Sequence, residues 1–260
     1  NTMEADKMLD YIKDILGNMP ADWLRLTTHR LDIYNEELAK IQFLDQFEIL
    51  ANQNNSSSCA LSELPTAYDY IRLGHPLSCV LEWAIAKLNN LAPDQVISFL
   101  SKTTPILSVL RKNLLNHKNT LIAYTNELPS SFDTEVLKTV YGYTFELKKV
   151  EKASDVSEFD GSVIFVTHQD EISPINQNSN IDFYINLYAD FGSVLLVNGE
   201  QNKEYISDIQ HVRRRETVAM TPNNCLAALK SLVNQPTSDT QKNNVAENKT
   251  TVLDAIKEVS

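Results

Sequence analysis

The side chains that could carry chemistry are dispersed along this chain. Its three cysteines (Cys59, Cys79 and Cys225) are far apart, odd in number and outside any C-x-x-C pair. They therefore indicate neither a disulfide framework nor a structural zinc site. The run Arg213-Arg214-Arg215 is a basic cluster in an acidic sequence. It is typical of a solvated loop, and the alternative is a site for an anion or an acidic partner.

The segment from Tyr68 to Pro76 is the most informative part of the sequence. It reads YDYIRLGHP, and it is followed by Leu81-Glu82 and by the run Ile85–Leu88. The pattern predicts a tight polar turn that leads directly into an amphipathic helix.

This segment resembles the Y-x-Y-x-R-x-x-N-P-T-x-x-x-L-E segment of the cystathionine γ-synthase/β-lyase family, whose members depend on pyridoxal phosphate (PLP). The resemblance implies that Tyr70 and Arg72 hold the cofactor phosphate of a neighbouring subunit, since a phenol and a guanidinium bind a dianion well. Of the family's N-P-T, only Pro76 is present. The alternative is that the tyrosines pack in a loop and Arg72 pairs with Glu82 or Asp69.

Further along, the resemblance implies a phosphate-binding turn after a strand, where backbone amides begin a helix. Ser101 matches the family's pattern there, whereas Lys102 replaces its glycine and Thr103 follows. These three residues are candidates for contact with an anion, and the alternative is a helix cap with a solvated lysine. At the position of the family's aspartate, which protonates the pyridinium nitrogen, the chain has Asn198, and an amide cannot hold that proton.

The lysine that PLP chemistry requires for its Schiff base is not found. No lysine lies between Lys203 and Lys230, the stretch in which the resemblance would place it, and Lys203 is too close to Asn198. The tyrosine that would stack on the cofactor ring, expected near Leu128, is also missing. We therefore expect no cofactor, with PLP as the alternative, and the catalytic residues are unknown.

Composition excludes several classes of partner. The chain has 260 residues and a net charge of −11, from 34 acidic and 23 basic residues. This balance argues against binding to nucleic acid and to anionic membrane. No apolar run approaches the roughly 20 residues of a membrane span, and the first residues do not resemble a signal peptide. The sequence thus predicts a cytoplasmic protein.

The hydrophobic pattern divides the chain into three parts. Residues 1–53 are predicted to be a helical N-terminal segment, 61–232 an α/β domain, and 234–260 a polar linker with a short C-terminal helix. In the middle part, predicted strands alternate with helices, and 181–190 is predicted to be helical. The fold class is α/β, with a three-layer, mainly parallel sheet that resembles the large domain of fold-type-I PLP enzymes.

Three functional hypotheses follow. The first is a degenerate, non-catalytic relative of the PLP enzymes that binds a protein partner or itself; the family's dimers make a homodimer a reasonable expectation. The second is an active enzyme, either a PLP-dependent lyase or transferase of the transsulfuration type or one acting on a small anionic metabolite held by Tyr70, Arg72 and Ser101. The third is an unrelated α/β or α+β interaction domain.

Overall fold

A computed structural model describes residues 2–25, 36–65 and 74–233. Tyr70 and Arg72 lie outside these ranges, as do the linker and helix expected over 234–260. The division of the chain into three parts therefore stays a prediction.

The elements alternate as the hydrophobic pattern predicts, with two exceptions given below. The helices are α1 Thr2–Asn18, α2 Glu36–Asn52, α3 Ser58–Ser62, α4 Pro76–Leu88, α5 Thr104–Leu115, α6 Thr134–Thr139, α7 Tyr205–Glu216 and α8 Pro222–Leu232. The strands are β1 Val96–Phe99, β2 Thr120–Tyr124, β3 Phe145–Lys149, β4 Ser162–Gln169, β5 Phe183–Tyr188 and β6 Gly192–Val197.

These strands form a single sheet in the order β1-β6-β5-β4-β2-β3. Neighbours from β5 to β3 are parallel, whereas β6 runs antiparallel to both β5 and β1. The predicted α/β fold with a mainly parallel sheet is thus confirmed. The central strands β5 and β6 are buried along their whole length and are mostly apolar, as expected for strands with both faces covered.

Helices cover both faces of the sheet, so the three layers are also confirmed. On one face, α5, α6 and α7 contribute to a buried cluster with the strands. On the other face, a second cluster joins the strands to α1, α2, α4 and α8. Aromatic rings bind the N-terminal helices to α4: Trp83 contacts Phe47 at 5.1 Å and Tyr11 at 6.5 Å between ring centroids.

The helix expected over 181–190 is wrong, because this segment contains β5. All six of its side chains are buried, and a run that is apolar on both sides does not show whether it is a strand or a helix. Only three residues separate β5 from β6, so the two strands form an antiparallel hairpin. β6 therefore runs in the direction opposite to the other strands of the sheet.

Two parallel crossovers lack an α-helix. The β3–β4 and β4–β5 connections are irregular apart from a short 3-10 turn at Ala153–Asp155. They are held together by Asn178, whose Nδ2 donates to the carbonyls of Ala153 at 2.9 Å and Val156 at 3.1 Å. Its backbone N–H donates to the hydroxyl of Tyr184 at 2.7 Å.

Candidate functional site

The carboxyl edge of the parallel strands is the part of this fold where a ligand is expected. From β2 the chain moves outward to β3, and it then returns to β4 on the other side of β2. Such a reversal of strand order opens a crevice between the carboxyl ends of the two strands. Here the crevice lies between the residues that follow β2 and the last residues of β4.

An open depression of about 510 Å³ lies at this crevice. Its lining residues are Asn126, Glu127, Lys149 and His168. The imidazole Nε2 of His168 lies 2.9 Å from the carbonyl oxygen of Glu127, which joins the two sides. All four side chains are exposed, so water competes for each of their polar groups.

Ser101, Lys102 and Thr103 also lie at the carboxyl edge, directly after β1. The Ser101 hydroxyl accepts from the backbone N–H groups of Thr103 at 3.2 Å and Thr104 at 3.0 Å. Lys102 donates through Nζ to the carbonyl of Ala189 at 3.2 Å, and the Thr103 hydroxyl bonds to that of Ser131. The structure therefore brings these three residues together, each with a partner inside the protein.

The start of α5 has few donors left for an anion. Ser101 occupies the N–H groups of Thr103 and Thr104, and Pro105 has none. The N–H groups of Ile106 and Leu107 both donate to the carbonyl of Thr103, at 3.0 and 3.2 Å. A phosphate at this turn would thus have to displace the serine hydroxyl, which already acts as a cap.

Asn198 lies at the opposite edge of the sheet. In the β1–β6 register, Phe99 pairs with Ser193 and Val96 with Leu196, so Asn198 lies beyond the first residue of β1. The structure therefore does not bring Asn198 together with Ser101–Thr103, and one small ligand cannot contact both.

The amide of Asn198 has a structural role. Its Nδ2 donates to the carbonyls of Ile181 at 2.8 Å and Asn178 at 3.2 Å. Asn198 thereby fastens the end of β6 to the connection that precedes β5. Whether any of the sequence-predicted residues binds a cofactor stays a prediction.

Three buried charges that the sequence analysis did not select form a cluster beside β1. Glu82 on α4 lies 3.0 Å from Lys40 Nζ on α2 and 3.1 Å from Arg213 Nη1 on α7. All three residues are buried. Burial by itself would raise the pKa of Glu82, but the two cations and a hydrogen bond from the Ser98 N–H hold it below its usual value.

This cluster covers the free edge of β1. The outward N–H of Ser98 donates to Glu82 at 2.7 Å, and its carbonyl accepts from Arg213 at 3.0 Å. Lys40 donates to the carbonyl of Val96 at 3.0 Å, and the N–H of Leu100 donates to the carbonyl of Val218 at 3.2 Å. The side chains thus provide hydrogen bonds that a further strand would otherwise make.

Arg213 corrects the interpretation of the arginine run. The expected solvated loop is instead the last turn of α7, and the first of the three arginines is buried against Glu82. Glu82, one of the two carboxylates expected as a partner of Arg72, pairs with Lys40 and Arg213, and its pairing with Arg72 stays a prediction because Arg72 lies outside the described residues. Glu82 itself could have been noticed, because it is a lone charge in the otherwise apolar first turns of α4, and such a charge requires a buried partner.

His75 is a buried histidine with a structural role. Its Nδ1 accepts from the N–H of Ser78 at 3.2 Å, and its Nε2 lies 2.6 Å from the carbonyl of Met220. The ring thus caps α4 and links it to the segment before α8. Burial lowers the pKa of His75 to about 4, so the ring is neutral at pH 7.

No metal site and no membrane-spanning helix were found in the parts of the chain that the structure describes. Within residues 2–25, 36–65 and 74–233, histidine, cysteine and carboxylate side chains form no group of three suited to a metal ion. None of the helices in these ranges has the length and apolar character needed to cross a bilayer.

Solved structures similar to this chain include two that are each 14% identical to it. One is metB from Corynebacterium glutamicum, with a TM-score of 0.42 over 66% of this chain and 55% of that one. The other is cystathionine gamma synthase from Xanthomonas oryzae pv. oryzae in complex with aminoacrylate and cysteine, with a TM-score of 0.45 over 66% of this chain and 54% of that one. The chain thus spans about half the length of each.

The name of the second structure, cystathionine gamma synthase, also occurs in the name of the family that the sequence resembles. No protein-family model and no curated protein matches the chain. Because both TM-scores lie below 0.5, the function is inferred below from the chain's own residues.

Proposed function

We propose that this chain is a non-catalytic relative of the PLP-dependent enzymes and acts by binding a protein partner or a second copy of itself. The observation that carries the proposal is the closed start of α5. At the turn that the sequence resemblance assigns to phosphate binding, the Ser101 hydroxyl occupies the N–H groups of Thr103 and Thr104, and Pro105 has no N–H.

The lysines near the carboxyl edge support the same conclusion. Lys149 is exposed at the rim of the open depression, and Lys102 is engaged with the carbonyl of Ala189. A Schiff-base lysine works when its amine is deprotonated by a desolvated pocket or a neighbouring cation. Neither lysine lies in such a pocket, and Lys203 on the opposite side pairs with Glu200 at 2.9 Å.

Borohydride trapping tests this proposal. The native protein is incubated with one equivalent of PLP, reduced and digested, and the lysine-containing peptides are quantified by mass spectrometry. We expect no visible absorbance band and only trace labelling spread over exposed lysines. The same reaction on the unfolded chain provides the background distribution among lysines.

Stoichiometric labelling of one lysine in the native protein alone would show that the proposal is wrong. In that case the labelled residue would be replaced by methionine. Loss of the absorbance band in that variant would establish a Schiff base and make the PLP-dependent enzyme the correct alternative.

A further inference from the structure

The two edges of the sheet differ in their protection. The edge at β1 is covered by Lys40, Glu82 and Arg213, whereas β3 at the other edge pairs only with β2 among the described strands. After Phe145, every residue of β3 is exposed. An open edge strand presents backbone donors and acceptors to another strand.

One hydrogen bond shows which backbone N–H and carbonyl groups of β3 point away from β2. The N–H of Val150 donates to the carbonyl of Tyr124 on β2 at 2.9 Å, so Val150 faces β2. The backbone N–H and carbonyl groups of successive residues in a strand point alternately to its two sides, so those of Lys148 and Glu146 also point toward β2. The N–H and carbonyl of Leu147 therefore point outward, away from the sheet.

The sequence of β3 is complementary to itself in an antiparallel arrangement. If two copies pair about a two-fold axis at Leu147, the outward-facing Leu147 residues form the hydrogen-bonded pair at the centre. Glu146 of each copy then lies opposite Lys148 of the other, twice over, in the narrow non-hydrogen-bonded pairs where side chains approach most closely. The exposed charges of this strand thus match those of a second copy.

Apolar surface lies beside the same edge. Leu147 shares its sheet face with Phe145, which belongs to the cluster under α6, and its side chain is exposed. After α6, Val140 and Tyr141 are 72% and 59% exposed. A two-fold axis perpendicular to the sheet places α6 of both copies on one side, so these side chains lie on the face that both copies share.

We propose that β3 is the interface through which two copies of this chain associate, joining their sheets into one continuous sheet. This inference rests on the proposed function and names the partner as a second copy. The charge pattern favours this partner, because an unrelated strand would have to supply the opposite order of charges. Within the described residues, one sheet edge is thus open for pairing and the other is closed.

Charge reversal tests the interface. We expect the wild-type protein to be a dimer at micromolar concentration by light scattering and sedimentation. Lys148→Glu places Glu146 opposite a glutamate in both cross-strand pairs, so we expect dimerisation to weaken by about tenfold or more. The double variant E146K/K148E restores opposite charges across the interface, and we expect it to dimerise like the wild type.

Lys13→Glu on the exposed side of α1 is the matched control, since it changes the net charge equally away from β3 and should leave the dimer intact. Circular dichroism and unfolding curves verify that each variant is folded. Three results would overturn the interface. The wild type could be monomeric even at about 100 µM, a concentration at which a weak contact would already form. K148E could dimerise with unchanged affinity, or the double variant could stay monomeric.

The two proposals can fail separately. A stoichiometric PLP adduct in a protein that still dimerises through β3 would refute the lack of catalysis and leave the interface standing. A monomer without an adduct would refute the interface alone.

Discussion

Arg213 and Glu82 meet across the edge of the sheet, with 3.1 Å between Nη1 and Oε2, although α7 and α4 cover opposite faces. The same Arg213 nitrogen donates to the carbonyl of Ser98 on β1 at 3.0 Å. One ion pair therefore ties both helical layers to the edge strand between them. Removal of this ion pair should therefore lower the stability of the whole fold.

Glu82→Gln should lower the free energy of unfolding by about 3–5 kcal/mol, because it removes the negative charge that Glu82 places beside the buried Lys40 and Arg213. Urea unfolding followed by circular dichroism measures the change. Glu200→Gln is the control, since Glu200 is exposed and its solvent-screened pair with Lys203 should contribute little to stability. Equal effects of the two substitutions would contradict a structural role for the buried cluster.

His75 should make the fold sensitive to acid. Its pKa is about 4 in the folded protein and about 6.5 when unfolded, so the unfolded chain binds the proton at the higher pH. The stability that neutral His75 provides is complete above about pH 6.5, and it is lost as the pH falls to 4. The loss should be about 3 kcal/mol, the free energy that corresponds to this pKa difference.

The variant His75→Asn separates this effect from the titration of carboxyl groups. Asparagine is a good helix N-cap and does not titrate. Unfolding curves of both proteins at pH 7 and pH 4 should show a smaller loss of stability in the variant. Parallel pH profiles would show that His75 does not cause the acid sensitivity.

Thiol reactivity should separate the three cysteines. Cys59 is exposed, whereas Cys79 and Cys225 are buried. Burial, together with the charge of Glu82, raises the pKa of Cys79 to about 12 and that of Cys225 well above its usual value, so neither forms the reactive thiolate.

With Ellman's reagent we expect one thiol to react rapidly in the native protein and all three in guanidinium chloride. In Cys59→Ser the rapid reaction should disappear. Rapid reaction of a second thiol in the native protein would contradict the burial of α4 against α8.

Asn198→Asp restores the residue type of the PLP family but should only destabilise this fold. The carboxylate cannot donate to the carbonyls of Ile181 and Asn178, and we expect a loss of about 1–3 kcal/mol. Asn126→Asp at the exposed carboxyl edge is the matched control and should change stability by less than about 0.5 kcal/mol. A gain of PLP absorbance in Asn198→Asp would instead place a cofactor at that edge.

Much of the fold could be predicted because the hydrophobic period of each element is strong. The apolar spacing of Ile12 and Ile15 predicts α1, and the apolar runs of β2 and β4 predict buried strands. What such periods describe is local. They do not show in which direction a strand runs, because the direction depends on the length and form of the connections to neighbouring strands.

The position of Asn198 in the sheet illustrates this limit. With 181–190 taken as a helix, the strand after it has the direction of its parallel neighbours and carries Asn198 to the carboxyl edge. Once that segment is a strand, the three-residue connection forces a hairpin, and the same residue ends at the opposite edge. The assignment of this one segment as helix or strand therefore decides at which edge of the sheet Asn198 lies.

The buried cluster could not be predicted for a different reason. Lys40, Glu82 and Arg213 are separated by 42 and 131 positions, and no periodicity connects such residues. Only the lone charge in α4 indicates that a partner exists, and it does not identify the partner.

The long separation of β1 from its partners has a consequence during synthesis. Among the described strands β1 pairs only with β6, and its outer side is covered by Arg213, so neither side is complete until about a hundred more residues have been made. At ribosomal speed this delay is roughly 5–20 s. During this delay the segment VISF has no strand to pair with. We therefore expect the growing chain to be prone to aggregation at that stage and to bind chaperones.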